Sequence, residues 1–254
     1  MSAGSTGSTG SPGSPGSPET PEGTRPSPNI WHHTETYEVE NRAFDPDGLV
    51  EAAIASVLTG GSWAGLDVLD LGCGTGFHLP RFAATAASVV GVEPHTDLRA
   101  IATRRTRRLP HVSVLEGTAQ SVPLPDASVD LVHSRWAYFF GPGSEPGLAE
   151  VARLLRPGGV HVVVDNDASR STFGSWFARG FPEVASPAEK QAFWESAGYA
   201  RVPVLTRWSF GSREDLEAVV SIELPEPVAG EVLADLPAGT LEVDYAVDVL
   251  WRRT

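Results

Sequence analysis

Residues 68–76, with the sequence VLDLGCGTG, limit the possible folds of this chain more than any other segment. The first four are typical of the end of a buried strand, and Gly72, Gly74 and Gly76 follow at alternate positions. Glycine lets a backbone turn sharply at positive φ and approach a ligand closely. Residues 77–82 can begin a helix whose free amide groups face the turn. A strand, a glycine turn and a helix in succession predict the binding site of a nucleotide-type cofactor.

The spacing of these glycines narrows the choice of cofactor. A dinucleotide fingerprint has the spacing G-x-G-x-x-G, whereas here Phe77 stands where its last glycine belongs. A phosphate-binding P-loop ends in Gly-Lys-Ser/Thr, and the only lysine of the chain is Lys190. Both phosphate-binding interpretations are therefore disfavoured. The sequence DLGCGTG instead resembles the first motif of the class I S-adenosylmethionine (SAM)-dependent methyltransferases.

The charge of the chain bears on its partners. Its 254 residues include 19 basic and 32 acidic ones, a formal charge of -13. An acidic chain is a poor binder of nucleic-acid phosphates, which need clustered Lys and Arg, but it is compatible with the sulfonium cation of SAM. No apolar run reaches the roughly 18 residues of a membrane span, and the N-terminus lacks a signal-peptide core. The sequence predicts a cytoplasmic protein with neither nucleic-acid nor membrane partners.

The composition along the chain predicts one folded domain after a tail. Residues 1–28 are almost wholly Gly, Ser, Pro and Thr, and we expect them to be disordered. Residues 29–254 then form a single methyltransferase domain. Within it we expect an N-terminal lid and helix at 29–60, a SAM-binding core at 61–167, and C-terminal strands with substrate-side inserts at 168–254. Residues 29–38 either cap the core or cover the cofactor, and one segment can do both.

Strands and helices alternate from residue 67 onward, which predicts a doubly wound α/β sheet. The predicted strands are 67–71, 88–92, 111–116, 128–134, 160–164, 201–210 and 241–251. The resemblance implies a Rossmann-like, mostly parallel seven-stranded sheet with an antiparallel edge strand. The predicted helices include one capped by Asp47, one at 77–85, one at 96–108, one with a capping box from Ser186 to Glu189 and one beginning at Ser212. A turn is predicted at 156–159.

Ligands of open α/β sheets bind outside the carboxyl ends of the strands, so the residues at those ends are site candidates. An acid after the second strand can accept hydrogen bonds from both ribose hydroxyls. The resemblance implies that Asp70 supports the turn, that Pro94 packs on adenine, and that an amide near Thr118 binds its ring. The predicted cofactor-binding residues are Asp70, Gly72, Cys73, Gly74, Gly76, Glu93, Pro94, Thr118, Ala119, Gln120 and Ser134.

Methyl transfer is an in-line displacement, so an enzyme mainly positions and desolvates the two reactants. A hydroxyl acceptor benefits from a general base, whereas a neutral amine needs none. The sequence identifies no catalytic residue; the candidates for a base are His33, Tyr37 and His133, together with His32, His78 and Tyr138. We also expect Trp31, Trp136 and Phe139 to form an apolar acceptor wall.

Cysteine and metal chemistry are both disfavoured. The single cysteine, Cys73, excludes an internal disulfide and a cysteine cluster for zinc, and we expect it to pack within the turn. Residues 165–167, Asp-Asn-Asp, follow a predicted strand, and some O-methyltransferases bind magnesium there. A hard cation needs more oxygen ligands than two adjacent groups, and Ser134 and Arg135 occupy the position where a further acid would stand. We expect no metal.

The function that the resemblance implies is transfer of a methyl group from SAM to oxygen or nitrogen of a small molecule, with S-adenosylhomocysteine (SAH) as product. Two alternatives stay open: a non-catalytic SAM-binding or regulatory protein of this fold and, less favoured, a dinucleotide-dependent oxidoreductase. The sequence does not predict which acceptor is methylated or how many copies of the chain associate.

Overall fold

The computed structural model describes residues 24–184 and 186–254. In these residues a seven-stranded sheet alternates with helices along the chain. The strands are β1 (Asp67–Leu71), β2 (Ser88–Val92), β3 (Val112–Leu115), β4 (Val129–Arg135), β5 (Leu155–Asn166), β6 (Ala200–Ser209) and β7 (Glu242–Arg253). The helices are α1 (Pro28–His32), α2 (Thr34–Ala43), α3 (Leu49–Ser56), α4 (Leu79–Ala83), α5 (Thr96–Thr106), α6 (Glu145–Leu154), α7 (Thr172–Gly180), α8 (Pro187–Ser196), α9 (Arg213–Glu223) and α10 (Val228–Asp235).

The strand order is β3-β2-β1-β4-β5-β7-β6. The first five strands pair in parallel, whereas β7 is antiparallel to both β5 and β6. The predicted Rossmann-like, mostly parallel sheet is confirmed, with the antiparallel strand one position in from the edge. The strand order reverses between β1 and β4, and such a switch point is where open α/β sheets bind their ligands.

Apolar layers cover both faces of the sheet. Because successive residues of a strand point to opposite faces, Val68 belongs to one buried cluster and Leu69 to the other. Val162 and Val163 of β5 divide in the same way. Each fully buried aliphatic side chain contributes about 1.5–3 kcal/mol to folding. With both faces covered, the carboxyl ends of the strands are left for a ligand.

Most predicted element boundaries hold within one to three residues, and three local predictions are wrong. The helix α3 is capped by Asp45, whose carboxylate accepts hydrogen bonds from the amides of Leu49 and Val50 at 2.9 Å each. Asp47 forms an ion pair with Arg207 instead. The helix after the glycine turn is short, because Phe77 and His78 still belong to the connection before α4.

The predicted turn at 156–159 is a bulge within a longer strand. Leu155 pairs with Val129 and Val160 pairs with Leu131, so the four intervening residues of β5 face a single residue of β4. Gly158 adopts a φ of +83° there, which suits glycine. The capping box of Ser186 and Glu189 at the start of α8 is confirmed.

The predicted tail, 1–28, overlaps the described chain at its end. Residues 1–23 lie outside the described residues. Residues 24–27 precede α1, which begins at Pro28. Arg25 donates hydrogen bonds to the carbonyls of Tyr138 and Gly143, at 3.1 and 2.9 Å. The last part of the predicted tail therefore contacts the domain. In the described ranges, no helix combines the length and the apolar character that crossing a membrane requires.

Candidate functional site

The glycine turn between β1 and α4 is fixed by hydrogen bonds to the end of β2. The amides of Gly72 and Cys73 both donate to the Val92 carbonyl, at 2.9 and 3.0 Å. Gly72 has a φ of +82° and Gly74 one of +55°. A Cβ on Gly72 would lie 2.4 Å from the Ala137 Cβ. Because no larger residue fits at Gly72, the turn presents bare backbone to its surroundings.

Gly76 and Cys73 contribute to the packing of the turn. A Cβ on Gly76 would lie 2.9 Å from the Ala102 Cβ, so the missing side chain lets α5 approach. The Cys73 thiol is buried, and its Sγ would lie 2.8 Å from a Cβ on Gly91. Burial raises the pKa of this thiol well above its usual range. These contacts agree with the packing role expected for Cys73.

A cleft of about 1050 Å³ lies against the turn. The lining combines the ends of β1, β2 and β4 with the segment after β3 and the N-terminal helices. The predicted cofactor-binding residues that line it are Asp70, Gly72, Cys73, Gly74, Glu93, Pro94, Thr118, Ala119 and Gln120.

Glu93 places a buried carboxyl group in the cleft, directly after β2. Its Oε2 accepts a hydrogen bond from the Gly74 amide at 2.9 Å, and its Oε1 accepts one from the His95 amide at 2.9 Å. Burial raises the pKa of Glu93 to about 7. Each carboxylate oxygen has a second lone pair. The group can therefore accept further hydrogen bonds from hydroxyls of a ligand, as the ribose prediction requires.

The segment after β3 forms a tight loop at the cleft. Thr118 and Ser121 exchange backbone hydrogen bonds, at 3.1 Å from the Thr118 amide and 3.2 Å from the Ser121 amide. Pro94, Leu98 and Ala119 add apolar surface to the same lining. Apolar surface beside a buried hydroxyl-binding carboxylate suits the base and the sugar of a nucleoside.

The N-terminal helices lie over the cleft. Trp31 of α1 and Tyr37 of α2 both line it, and the Trp31 ring centroid is 4.8 Å from that of His95. A Cβ on Gly74 would come within 2.8 Å of the Ile30 Cδ1. α1 therefore rests directly on the bare backbone of the turn.

Hydrogen bonds and an ion pair fasten α2 to the turn. Arg105 Nη2 lies 2.7 Å from Glu38 Oε2, and Arg105 Nη1 donates to Thr75 Oγ1 at 3.0 Å. The Thr75 hydroxyl in turn donates to Glu38. The turn, α2 and α5 thus share one polar network.

Asp70 and His133 bind each other behind the turn. They are partners in the register of β1 and β4, and Asp70 Oδ1 lies 2.8 Å from His133 Nδ1. The hydrogen bonds that hold the turn come from Val92 and Glu93 instead, so the predicted role of Asp70 is corrected. His133 does not line the cleft, because its ring is buried against Phe82, with 5.1 Å between the centroids.

Ser134 and Phe139 lie on the opposite side of the sheet from their predicted places. Ser134 is fully buried, with its Oγ 3.4 Å from His161 Nε2, and does not line the cleft. Side chains alternate along β4, so Ser134 shares the face of Val132. Phe139 packs against His161 at 4.9 Å between centroids. Neither residue contributes to the cleft lining; Trp136 does, as predicted, together with Tyr138.

The other candidates for a general base differ in their access to the cleft. His32 and His33 are exposed near the junction of α1 and α2, and neither lines the cleft. Burial raises the pKa of the Tyr37 phenol well above its usual range. His78 lines the cleft, and its Nε2 accepts a hydrogen bond from Arg135 Nη1 at 2.8 Å. Burial lowers the pKa of His78 well below its usual range, so the ring is neutral near pH 7.

Arg135 is one of several cleft-lining residues that the sequence did not single out. It is the last residue of β4 and lines the cleft between Asp70 and the Trp136–Tyr138 segment. Its position directly after Ser134, at a strand end, was the only available signal. No pattern of the sequence indicates that this guanidinium is held among aromatic rings.

The acidic segment at the end of β5 is occupied by cations and donors. Asp165 pairs with Lys190, Asp167 Oδ2 pairs with Arg170 at 2.5 Å, and Asn166 accepts a hydrogen bond from the Tyr245 hydroxyl at 2.8 Å. Within residues 24–184 and 186–254, no group of three or more His, Cys, Asp or Glu side chains could hold a metal ion.

Known sequences resemble this chain over the same core. Residues 69–163 match the family described as "Methyltransferase domain". A Mycolicibacterium smegmatis protein named "Probable S-adenosylmethionine-dependent methyltransferase" is 31% identical over 180 residues, which cover 68% of this chain and 67% of that protein. Matches to several other relatives span only 31% to 49% of their lengths.

Solved structures show the same fold at low sequence identity. The YcgJ protein of Bacillus subtilis aligns with a TM-score of 0.57 at 19% identity, covering 81% of this chain and 96% of that one. The [4+2]-cyclase SpnF aligns with a TM-score of 0.53 at 23% identity, covering 80% and 79%. The glycine turn, the acid after β2, the strand order and these matches agree: the chain belongs to the class I SAM-dependent methyltransferase family, whose cofactor is SAM.

Proposed function

We propose that this protein transfers the methyl group of SAM to an oxygen or nitrogen atom of a small molecule. The observation that carries the proposal is the cleft of about 1050 Å³, which joins the glycine turn to a wall of aromatic side chains under α1 and α2. A covered cleft favours a small acceptor over a macromolecule. The acidic balance of the chain further disfavours nucleic acid. The chain would act in the cytoplasm, where SAM is made and used.

The described residues fit the parts of SAM. We assign the ribose hydroxyls to the Glu93 carboxylate, the adenine to Pro94 and the 118–120 loop, and the methionine part to the glycine turn. SAM supplies an electrophilic methyl group, and the acceptor supplies the electron pair. The α1–α2 segment excludes water from the cleft, which strengthens the electrostatic interactions within it.

No histidine of the cleft lining is placed as a conventional base in the described chain. His78, which lines the cleft, accepts a hydrogen bond from Arg135, and His133 lies outside the lining and is bound to Asp70. Such a site suits an acceptor that arrives with a free electron pair, namely a neutral amine or an already ionised oxygen. We therefore assign catalysis mainly to positioning and desolvation.

The likeness to the [4+2]-cyclase SpnF favours one second candidate. That protein has the same fold but is named as a cyclase, not as a methyltransferase. The cleft described here also has no evident base. A protein that binds SAM without transferring its methyl group is therefore the alternative. A dinucleotide-dependent oxidoreductase is disfavoured, since Phe77 replaces the last glycine of the fingerprint.

Transfer of a radiolabelled methyl group tests the proposal. The full chain is incubated with methyl-labelled SAM and separate small-molecule, protein and RNA fractions of a bacterial extract. We expect label in the small-molecule fraction, with a strong loss for Glu93→Ala and none for the surface control Arg107→Met. SAH binding without label in any fraction would support the second candidate, and label in RNA or protein would contradict a small acceptor.

A further inference from the structure

Arg135 stands between two cavities. It lines the main cleft and also a second cavity of about 570 Å³, and Asn41, Phe77 and His78 border both. Phe44, Val50, Ile54, Trp63 and Phe82 give the second cavity apolar walls, and Asp45, Glu51, Arg81 and His133 add charged and polar groups to its lining. A ligand that reaches from the main cleft into the second cavity would therefore contact the residues that border both, Arg135 among them.

Aromatic rings and one histidine hold the guanidinium in place. Its central carbon lies 4.5 Å from the Phe44 ring centroid and 4.1 Å from that of Trp136. Nη1 donates to His78 Nε2 at 2.8 Å. These three contacts, two of them from residues distant in the sequence, restrict the orientation of the planar group.

The guanidinium has no counterion in the described residues. Its Nη2 is buried and makes no hydrogen bond, and no ion pair of the described chain includes Arg135. Arg135 is half-buried as a whole, and an unpaired charge with a buried nitrogen is costly, so folded proteins normally pair such groups. An unpaired charge at the junction of two cavities is therefore suited to an anion that binds there.

The nearby acids make no hydrogen bond or ion pair with the guanidinium, although Glu40 Oε2 is buried and has no hydrogen-bond partner among the described residues. Asp45 accepts hydrogen bonds from two amides of α3 and from the Thr206 hydroxyl. Glu40 is hydrogen-bonded to Glu223, and burial raises the pKa of both carboxyls. Glu40 and Asp45 act on Arg135 only through space. Neither replaces a carboxylate in contact with Nη2.

The backbone beside Arg135 is strained, as functional sites often are. Trp136 and Tyr138 adopt φ values of +48° and +58°, which cost bulky residues about 1–3 kcal/mol each. This conformation places the Trp136 ring over the guanidinium and leaves Tyr138 in the cleft lining. The strained segment thus builds the surroundings of Arg135.

We propose that Arg135 binds the carboxylate of a small-molecule ligand at the junction of the two cavities. The favoured source is the methyl acceptor, a carboxylate with an apolar body that the second cavity accommodates. The other source with the same chemistry is the methionine carboxylate of SAM. The choice of the acceptor rests on the proposed function, whereas the carboxylate site itself does not. Arg135 would determine specificity without taking part in the displacement.

Paired ligands that differ only in the carboxylate test this proposal by calorimetry on the full chain. In the first arm, the SAH-loaded protein is titrated with phenylacetate and with phenylacetamide. In the second arm, the protein without cofactor is titrated with SAH and with decarboxylated SAH. The variants are Arg135→Met, which removes the charge, and Arg135→Lys, which keeps the charge but not the planar group. Arg107→Met, an exposed arginine of the α5 end, is the matched control.

We expect wild type and Arg107→Met to prefer the carboxylate at least about tenfold in one arm, since one charge-assisted hydrogen bond contributes that much. Arg135→Met should abolish that preference, and Arg135→Lys should retain part of it. A preference in the first arm would assign Arg135 to the carboxylate of the acceptor. A preference in the second arm would assign it to the carboxylate of the cofactor. No preference in wild type, or an unchanged preference in a folded Arg135→Met, would overturn the proposal. These titrations need no turnover, so failure of the proposed methyl transfer would appear separately.

Discussion

At the scale of single residues, Glu93 both stabilises the backbone of the cleft and offers a group that can bind the ligand. The carboxyl group holds the amides of Gly74 and His95 and still has free lone pairs facing the cleft. Its pKa of about 7 means that the proton equilibrium of this one group falls in the physiological range. Ribose hydroxyls donate to the ionised form, so a bound cofactor lowers the pKa of Glu93.

The affinity for SAH should therefore depend on pH through Glu93. Because binding favours the ionised carboxylate, affinity should rise as the pH increases through about 7 and then level off. Glu93→Gln should bind SAH about tenfold more weakly at high pH and lose this pH dependence. Calorimetry between about pH 6 and pH 8 measures both effects. An equal slope in the variant would show that another group titrates on binding.

Gly72 should tolerate no side chain for two reasons, a backbone φ that disfavours other residues and a steric clash with Ala137. Gly72→Ala adds a Cβ 2.4 Å from the Ala137 Cβ at a φ of +82°. Gly65→Ala is a matched control, since Gly65 has a φ of +74° but an open surrounding. The free energy of unfolding of the control should fall by about 1–2 kcal/mol from backbone strain alone. That of Gly72→Ala should fall further, and this variant should also bind SAH more weakly. Thermal unfolding with and without SAH compares the two. Equal losses would mean that the Ala137 contact relaxes.

At the scale of elements, the cover of the cleft is fastened to the C-terminal part of the chain. Asn29 of α1 donates to Glu223 of α9 at 2.5 Å, and Glu40 of α2 is hydrogen-bonded to the same carboxyl group. Two carboxyl groups can share a hydrogen bond only if one holds a proton. The N-terminal helices are thus held in place by a buried pair that disfavours full ionisation.

This pair should make stability fall as the pH rises. Burial raises the pKa of Glu40 and of Glu223 above their usual value of 4.5, so the folded protein holds protons that the unfolded chain releases. Their contribution is complete below about pH 4.5 and is lost as the pH rises through the folded values. Glu223→Gln, which donates without titrating, should flatten that loss. Denaturant unfolding from about pH 5 to pH 8 measures the free energy, and parallel curves for wild type and variant would contradict the assignment.

At the scale of the whole molecule, the sequence predicts the strand ends that position the site better than the side chains that surround the cleft. Strand ends could be located because buried parallel strands are apolar runs, and the glycine turn marks one of them. Hence Glu93, Pro94 and residues 118–120 were predicted and line the cleft. Alternation along β4 places Ser134 on the other face of the sheet, which the motif resemblance alone does not reveal.

The side chains that surround the cleft could not be predicted, because their positions depend on contacts between distant parts of the chain. Left-handed backbones at Trp136 and Tyr138 break the strand pattern and turn Phe139 into the core. Asp70 and His133 are separated by 63 positions and meet only through the register of β1 and β4. No local sequence pattern predicts the left-handed backbone or the contact between Asp70 and His133.

A crystal structure of the full chain with SAH tests the central claim most directly, namely that the cleft at the glycine turn holds SAM and aims its methyl group at the aromatic wall beneath α1 and α2. We predict the ribose hydroxyls on the Glu93 carboxylate, the adenine beside Pro94 and Ala119, and the sulfur on the side of the cleft that Tyr37 and Trp136 line. SAH bound away from Glu93, or with its sulfur directed to open solvent, would contradict the account.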